Sequence, residues 1–165
     1  MSDEVQWPGG PSSAAFHHEV AKVSRQVKAG KLLAIDPSSG GWDPKTRTQS
    51  TPGYALWEAG KFIESGTIEL CRGNACARLA DLYACLTREF PDVDVLVLEK
   101  LRGRMVHHVL HWAVGATVAA VPAPILIEVP IVFWKALAKT KPNYVKADDS
   151  DAELMGEVVL RLANV

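Results

Sequence analysis

Four carboxylates stand where a folded chain has reason to bring them together. Leu32, Leu33, Ala34 and Ile35 form an apolar run that ends in Asp36, and Val95, Leu96, Val97 and Leu98 form another that ends in Glu99. A buried strand delivering an acid to the rim of a sheet reads this way. The third group is Asp148-Asp149-Ser150-Asp151. Asp148 and Asp151 are three apart, hence on one face of a helix, and that face continues through Met155, Val158 and Leu162. Each acid alone has a plainer role. Asp36-Pro37-Ser38-Ser39-Gly40 is turn chemistry, and one aspartate in the first turn of a helix gains about 0.3–1 kcal/mol from the dipole. Capping, however, asks for one side chain and not for a pair on the inward face. Several carboxylates buried together are costly unless a cation neutralises them. All-oxygen ligands suit Mg²⁺ or Mn²⁺ rather than zinc. Acids grouped in this manner serve phosphodiester hydrolysis, where two metal ions about 3.5–4 Å apart activate a water and stabilise the leaving 3′ oxygen. That chemistry needs no protein nucleophile, and Ser38 and Ser39 have no evident histidine partner.

The elements that must position these acids follow from the apolar pattern. Residues 1–12, with Pro8, Gly9, Gly10 and Pro11, read as a flexible arm. Phe16, Val20, Val23 and Val27 recur at helical spacing over residues 13–29, with Ser12 or Ser13 as N-cap and Gly30 as C-cap. Residues 31–36 are the first strand, and 38–52 a long loop holding Trp42, Lys45 and Arg47. Residues 53–58 and 62–68 form a hairpin across Ala59-Gly60-Lys61. A helix carries Ala75, Leu79, Leu82, Tyr83, Leu86 and Phe90 until Pro91-Asp92 stops it. Then come a strand over 94–99, a helix over 104–120, a strand over 125–129, a helix over 131–139 and a last helix over 148–162. Three meandering strands followed by alternating helices and strands predict an α/β domain with a five-stranded mixed sheet and helices on its faces.

Composition narrows the class. A chain of 165 residues that is 48% hydrophobic is one domain with a real core. Neither a signal peptide nor a transit peptide begins Met1-Ser2-Asp3-Glu4, and the longest apolar stretch, residues 112–127, is broken by Gly115, Pro122 and Pro124. No membrane association and a cytoplasmic location are therefore expected. Cys71, Cys76 and Cys85 complete neither a disulfide framework nor a zinc site and read as reduced structural thiols. The net charge of −1 hides an uneven distribution. Lys100, Arg102 and Arg104 form one basic cluster, and Lys135, Lys139, Lys141 and Lys146 form another with no acid from Ile131 to Ala147. A basic face around an acidic centre is what a nucleic-acid enzyme needs.

The motifs resemble the RuvC family of Holliday-junction resolvases, in the RNase H-like superfamily. They are Ile35-Asp36-Pro37-Ser38-Ser39 followed by Gly53-Tyr54-Ala55, the strand ending at Glu99, and Asp148-x-x-Asp151-Ala152 opening the last helix. The similarity covers residues 31 to 163 and leaves the first 30 as an N-terminal arm and helix before an RNase H-like nuclease domain over 31–165. It implies a homodimeric, Mg²⁺-dependent endonuclease that makes paired nicks across a four-way DNA junction, Mn²⁺ being able to substitute, with Asp36, Glu99, Asp148 and Asp151 as metal ligands. This chain departs from the pattern by inserting residues 40–52 after the first acid. Leu101 and Arg102 stand where the family places an aromatic wedge after its glutamate. A lysine-bearing helix precedes the final acidic pair in the family, whereas here only Pro142-Asn143-Tyr144-Val145-Lys146 separates Lys141 from Asp148, and Lys135, Lys139 or Lys146 is the candidate for the phosphate contact.

Lys100, Arg102, Arg104, Lys135, Lys139, Lys146, Lys45 and Arg47 are accordingly the expected DNA contacts, and Trp42 is placed to stack on an unpaired base. His107, His108 and His111 form a polar strip beside Arg104, since no carboxylate on that helix would complete a metal site. Gly115-Ala116 permits close helix approach, in the region the family uses for dimerisation. Trp57, Trp112 and Trp134 are expected in the core or an interface. The competing functions are an RNase H-like nuclease acting on RNA or on flap and branched DNA, and a non-catalytic DNA-binding module. A pure binder gains nothing from repelling carboxylates at its centre.

Overall fold

The computed structural model describes residues 4–38, 42–43, 47–101 and 108–164, with the backbone alone at 42, 43, 48, 49 and 148. In chain order the elements are α1 (Pro11–Lys22), α2 (Ser24–Ala29), β1 (Lys31–Asp36), β2 (Trp42–Asp43), β3 (Thr48–Gln49), β4 (Gly53–Glu58), β5 (Lys61–Thr67), α3 (Ala75–Glu89), β6 (Val95–Glu99), α4 (His108–Ala120), β7 (Ile125–Val129), α5 (Ile131–Ala138) and α6 (Asp148–Leu162). The main sheet runs β5-β4-β1-β6-β7, and β2 and β3 form a separate two-stranded ribbon. β1 pairs antiparallel with β4 from Lys31↔Glu58 to Asp36↔Gly53 and parallel with β6, which is itself parallel to β7. This is the expected five-stranded mixed sheet, an antiparallel meander extended by parallel strands.

Side-chain alternation along β1 and β6 divides the interior in two. Leu32, Ala34, Val95 and Val97 face one side with Phe133, Leu137, Met155 and Val158, so α5 and α6 cover that face. Leu33, Ile35, Leu96 and Leu98 face the other with Leu82, Leu86 and Ala113, so α3 and α4 cover it. Phe16, Val20 and Val27 belong to the α6-side core, with Val5 and Trp7 packed against it. The Trp7 ring lies 5.8 Å from that of Phe133. The N-terminal segment therefore contributes to the core that the rest of the chain builds.

Several local expectations change. The helix expected over 13–29 is two helices that break at Val23, and the first begins two residues early. Gly10, at φ 98°, takes the N-cap position in place of Ser12 or Ser13, because Pro11 needs no amide partner at the first helical position and presets its φ. Gly30 does end α2, and nothing larger fits there: a Cβ would stand 2.8 Å from the Gln26 carbonyl oxygen and 2.9 Å from Asp94 Cβ. The hairpin turn is two residues, Ala59 (φ 50°) and Gly60 (φ 76°), so β5 starts at Lys61 rather than Phe62. Both positive angles match the primed turns that suit twisted hairpins. Within the segment expected as loop over 38–52, β2 and β3 pair Trp42↔Gln49 and Asp43↔Thr48. Tyr83 does not join the buried stripe of α3 and is 46% exposed; it lies one residue round the helix from Leu82, which is buried. Trp57 and Trp134 are buried as expected, whereas Trp112 is 56% exposed. The three cysteines are free, Cys71 and Cys76 on the surface. Among the described residues no helix is long and apolar enough to cross a membrane.

Candidate active site

Asp36 and Glu99 close the two central parallel strands. Ile35 pairs with Leu98, so Asp36 and Glu99 occupy the next step of one register, on strands about 4.8 Å apart. Asp36 follows Ala34 by two residues and Glu99 follows Val97 by two, which turns both acids toward the face that α6 covers. Both are half-buried. The strands end there for local reasons. Buried Pro37 follows Asp36 and has no amide to continue a ladder. Beyond Glu99 the chain holds a last bond to β7, the Lys100 amide donating to the Val129 carbonyl at 2.9 Å.

The first turn of α6 faces this rim. The Asp151 amide donates to the Ala147 carbonyl at 2.9 Å, and its side chain is 6% exposed, the one buried acid among the described residues. Asp149 turns to the neighbouring backbone, its Oδ1 accepting from the Ser150 amide at 3.0 Å. Asp148 begins the helix, and its side chain lies outside the described residues. The partner of Asp151 is one that periodicity and motif did not single out: the Tyr144 hydroxyl donates to Asp151 Oδ1. Tyr144 sits in the connection between α5 and α6, where the sequence draws attention to its lysines, and no pattern marks it as a neighbour of the acids.

The charges at the rim act on one another. Burial pushes the Glu99 carboxyl above its ordinary value, the charge of Asp151 pushes it further, and Lys146 and Lys135 oppose both. Burial, the bond to Asp151, and the charges of Asp151 and Asp36 push the Tyr144 phenol far above its ordinary range. Asp36, Glu99, Asp151, Tyr144, Lys135 and Lys146 thus share one electrostatic neighbourhood. Among the described residues no three His, Cys, Asp or Glu side chains converge into a formed metal cluster. The groups present nevertheless suit a hard divalent cation, because they offer acceptor oxygens and because Glu99 and Asp151 repel each other in a partly dry site where a cation would relieve the repulsion.

Lys100, Lys135, Lys139 and Lys146 are exposed. Lys139 lies beside Glu4 and Gln6 in a shallow groove against the N-terminal segment. Arg47 is exposed in the turn before β3. Lys45, Arg102, Arg104 and His107 lie outside the described residues, as does the side chain of Trp42. His108 and His111 are exposed on α4. A cavity of about 480 Å³ lies next to the acids and not on them: it runs between the segment around Tyr144 and α6, past Ser150 and Glu157. Its two cations are held by one acid, Lys141 at 3.0 Å and Arg161 at 2.9 Å from Glu157.

The sheet order, the mixed pairing and the helices on both faces define an RNase H-like α/β fold of the RuvC type. Thermus thermophilus RuvC in complex with a Holliday junction substrate superimposes with a TM-score of 0.60 at 12% identity, covering 82% of this chain and 94% of that one. A second Thermus thermophilus RuvC structure gives 0.57 at 12% identity, covering 81% and 95%. At that identity the likeness is one of fold. No protein-family model and no curated protein matches the chain.

Proposed function

We propose that this protein is a divalent-metal-dependent endonuclease that resolves four-way DNA junctions. The observation that carries the reading is the placement of Asp36 and Glu99 at one step of the β1–β6 register, facing the buried Asp151 of α6. Asp36, Glu99 and Asp151, with Asp148 at the head of the same helix, are the residues that would hold Mg²⁺ or Mn²⁺. When bound, the metal supplies an activated water and stabilises the departing 3′ oxygen. Hydrolysis with that help would exchange the P–O3′ bond for a bond to the water oxygen, the proton lost by the water being balanced by the one taken up at the 3′ oxygen, and would leave a 5′-phosphate and a 3′-hydroxyl. Lys135 and Lys146, whose charges already reach Glu99, bind the phosphates on either side of the acids and hold the strand across the rim. Exposed Lys100 and Arg47, and by charge alone Arg102, Arg104 and Lys45, are the further proposed DNA contacts, with Lys139, set against the N-terminal segment, the weakest of them. The structural neighbour with a bound Holliday junction supports a branched substrate.

Paired nicking calls for two copies. α4 presents His108, His111, Trp112, Gly115 and Val118 as one exposed stripe at helical spacing, and a Cβ at Gly115 would meet nothing within 4 Å. A second copy packed there forms the homodimer, acting on DNA in the cytoplasm.

The test is cleavage, with Mg²⁺, of a four-way junction in parallel with a flap, a linear duplex and an RNA–DNA hybrid. The wild-type chain converts the junction to symmetrically nicked duplexes, and Asp36→Asn abolishes cutting while retaining junction binding. Equal cutting of linear duplex removes the junction reading; cutting confined to the flap or the hybrid replaces the substrate; no cutting of any of them removes the nuclease.

A further inference from the structure

We propose that Tyr144 is a positioning residue of the metal centre: its hydroxyl fixes the Asp151 carboxylate so that Oδ1 is engaged and Oδ2 is presented to the cation. The inference rests on the metal-nuclease reading above. Asp151 is 6% exposed and accepts the Tyr144 hydroxyl through Oδ1. The terminal torsion of an aspartate is broad, so backbone geometry does not decide which oxygen faces the rim. A donor bound to one oxygen does decide it. The phenol is itself anchored: its ring packs against the α6-side core, and its amide donates to the Lys141 carbonyl at 3.2 Å. The charge of Asp36 also acts on the phenol. Tyr144 therefore ties the connection before α6 to the one acid that α6 buries. A phenylalanine would fill the same space and leave the carboxylate free to turn.

Outer partners of this kind typically change metal affinity by about 10–100-fold when removed. The experiment is titration of Mn²⁺ into the metal-free full chain, followed by electron paramagnetic resonance, for wild type, Tyr144→Phe and Asp36→Asn. The expected result is binding by wild type, none by Asp36→Asn, and binding weakened about 10–100-fold in Tyr144→Phe. Affinity equal to or tighter than wild type in Tyr144→Phe overturns the positioning role alone. Absence of Mn²⁺ binding by wild type overturns the metal-nuclease reading and this role with it. Should Tyr144→Phe fail to fold, 3-fluorotyrosine at position 144 keeps the hydroxyl and reports directly: its ¹⁹F resonance shifts on saturation with Mg²⁺, and an unmoved resonance overturns the role.

Discussion

Gly156 lies against the indole of Trp57, so close that a Cβ added there would stand 2.2 Å from Cζ3 and 2.3 Å from Cη2. The contact sets how near α6 approaches β4, and Gly156 is five residues beyond Asp151 on the same helix. Trp57 cannot easily yield, being buried with its ring edge-on to Phe62 at 5.6 Å between centroids.

Gly156→Ala consequently has a diagnostic sign. In an ordinary helix interior the change stabilises by roughly 0.5–1 kcal/mol. Here overpacking outweighs propensity, and the variant loses about 1–3 kcal/mol in chemical denaturation. Trp57→Leu combined with Gly156→Ala recovers part of that loss, because the atoms in collision are those of the indole. A stabilised Gly156→Ala would mean that α6 can shift without cost, and the placement of Asp151 would no longer be held by this contact.

The pH dependence of metal-free stability isolates the strain at Glu99. Its carboxyl lies above the ordinary value of 4.5 because of burial and the charge of Asp151. Between the ordinary and the raised value the native state therefore binds more protons than the unfolded chain, and stability falls as pH rises through that window. The favourable contribution is fully present below the window and absent at neutral pH, where ionised Glu99 opposes folding. In chelator, Glu99→Gln is accordingly more stable than wild type at neutral pH, and the difference shrinks toward weakly acidic pH. Urea midpoints of the two proteins measured across that range check it. A difference that grows on acidification contradicts the assigned direction.

The strands that build the rim were legible because each is an apolar run closed by an acid. The observed β1, β4, β7 and α6 keep the boundaries read from the chain, and Asp36 and Glu99 come to one rim because parallel neighbours end in register. What escaped has a common physical origin. The β2–β3 ribbon has two residues per strand, too few to show a period. Tyr144 and Gly156 act through partners that only tertiary packing supplies, Asp151 seven residues away across a connection and Trp57 on another element. α1 starts two residues before the expected position because a proline at the first helical position outweighs two serines competent to cap.

Lys146 and Lys135 are separable from Lys139 by salt dependence. The first two act on Glu99, whereas Lys139 lies against the N-terminal segment beside Glu4. Each phosphate contact contributes about 0.9 to the slope of log affinity against log salt on duplex DNA. Lys135→Ala and Lys146→Ala each lower the slope for junction binding by about one contact, and Lys139→Ala lowers it by less. Binding titrations over a range of salt concentrations check the order, and equal slopes for all three would make Lys139 as close a phosphate contact as the other two.

The stripe on α4 carries the quaternary prediction. Trp112 is 56% and Val118 37% exposed, and with His108, His111 and Gly115 they lie on the side of the helix turned away from Ala113, Thr117 and Ala120, which are buried. Single exposed apolar groups are ordinary, but a large aromatic and a valine flanking a glycine form a continuous patch of the kind that marks an interface. Trp112→Glu places a charge at its centre without touching the sheet. The variant keeps its fold by circular dichroism and sediments as a monomer where the wild type is a dimer. On junction DNA it nicks one strand and leaves the symmetric partner uncut. A wild type that stays monomeric on junction DNA would end the paired-incision mechanism, while a dimer insensitive to Trp112→Glu would move the interface to another surface.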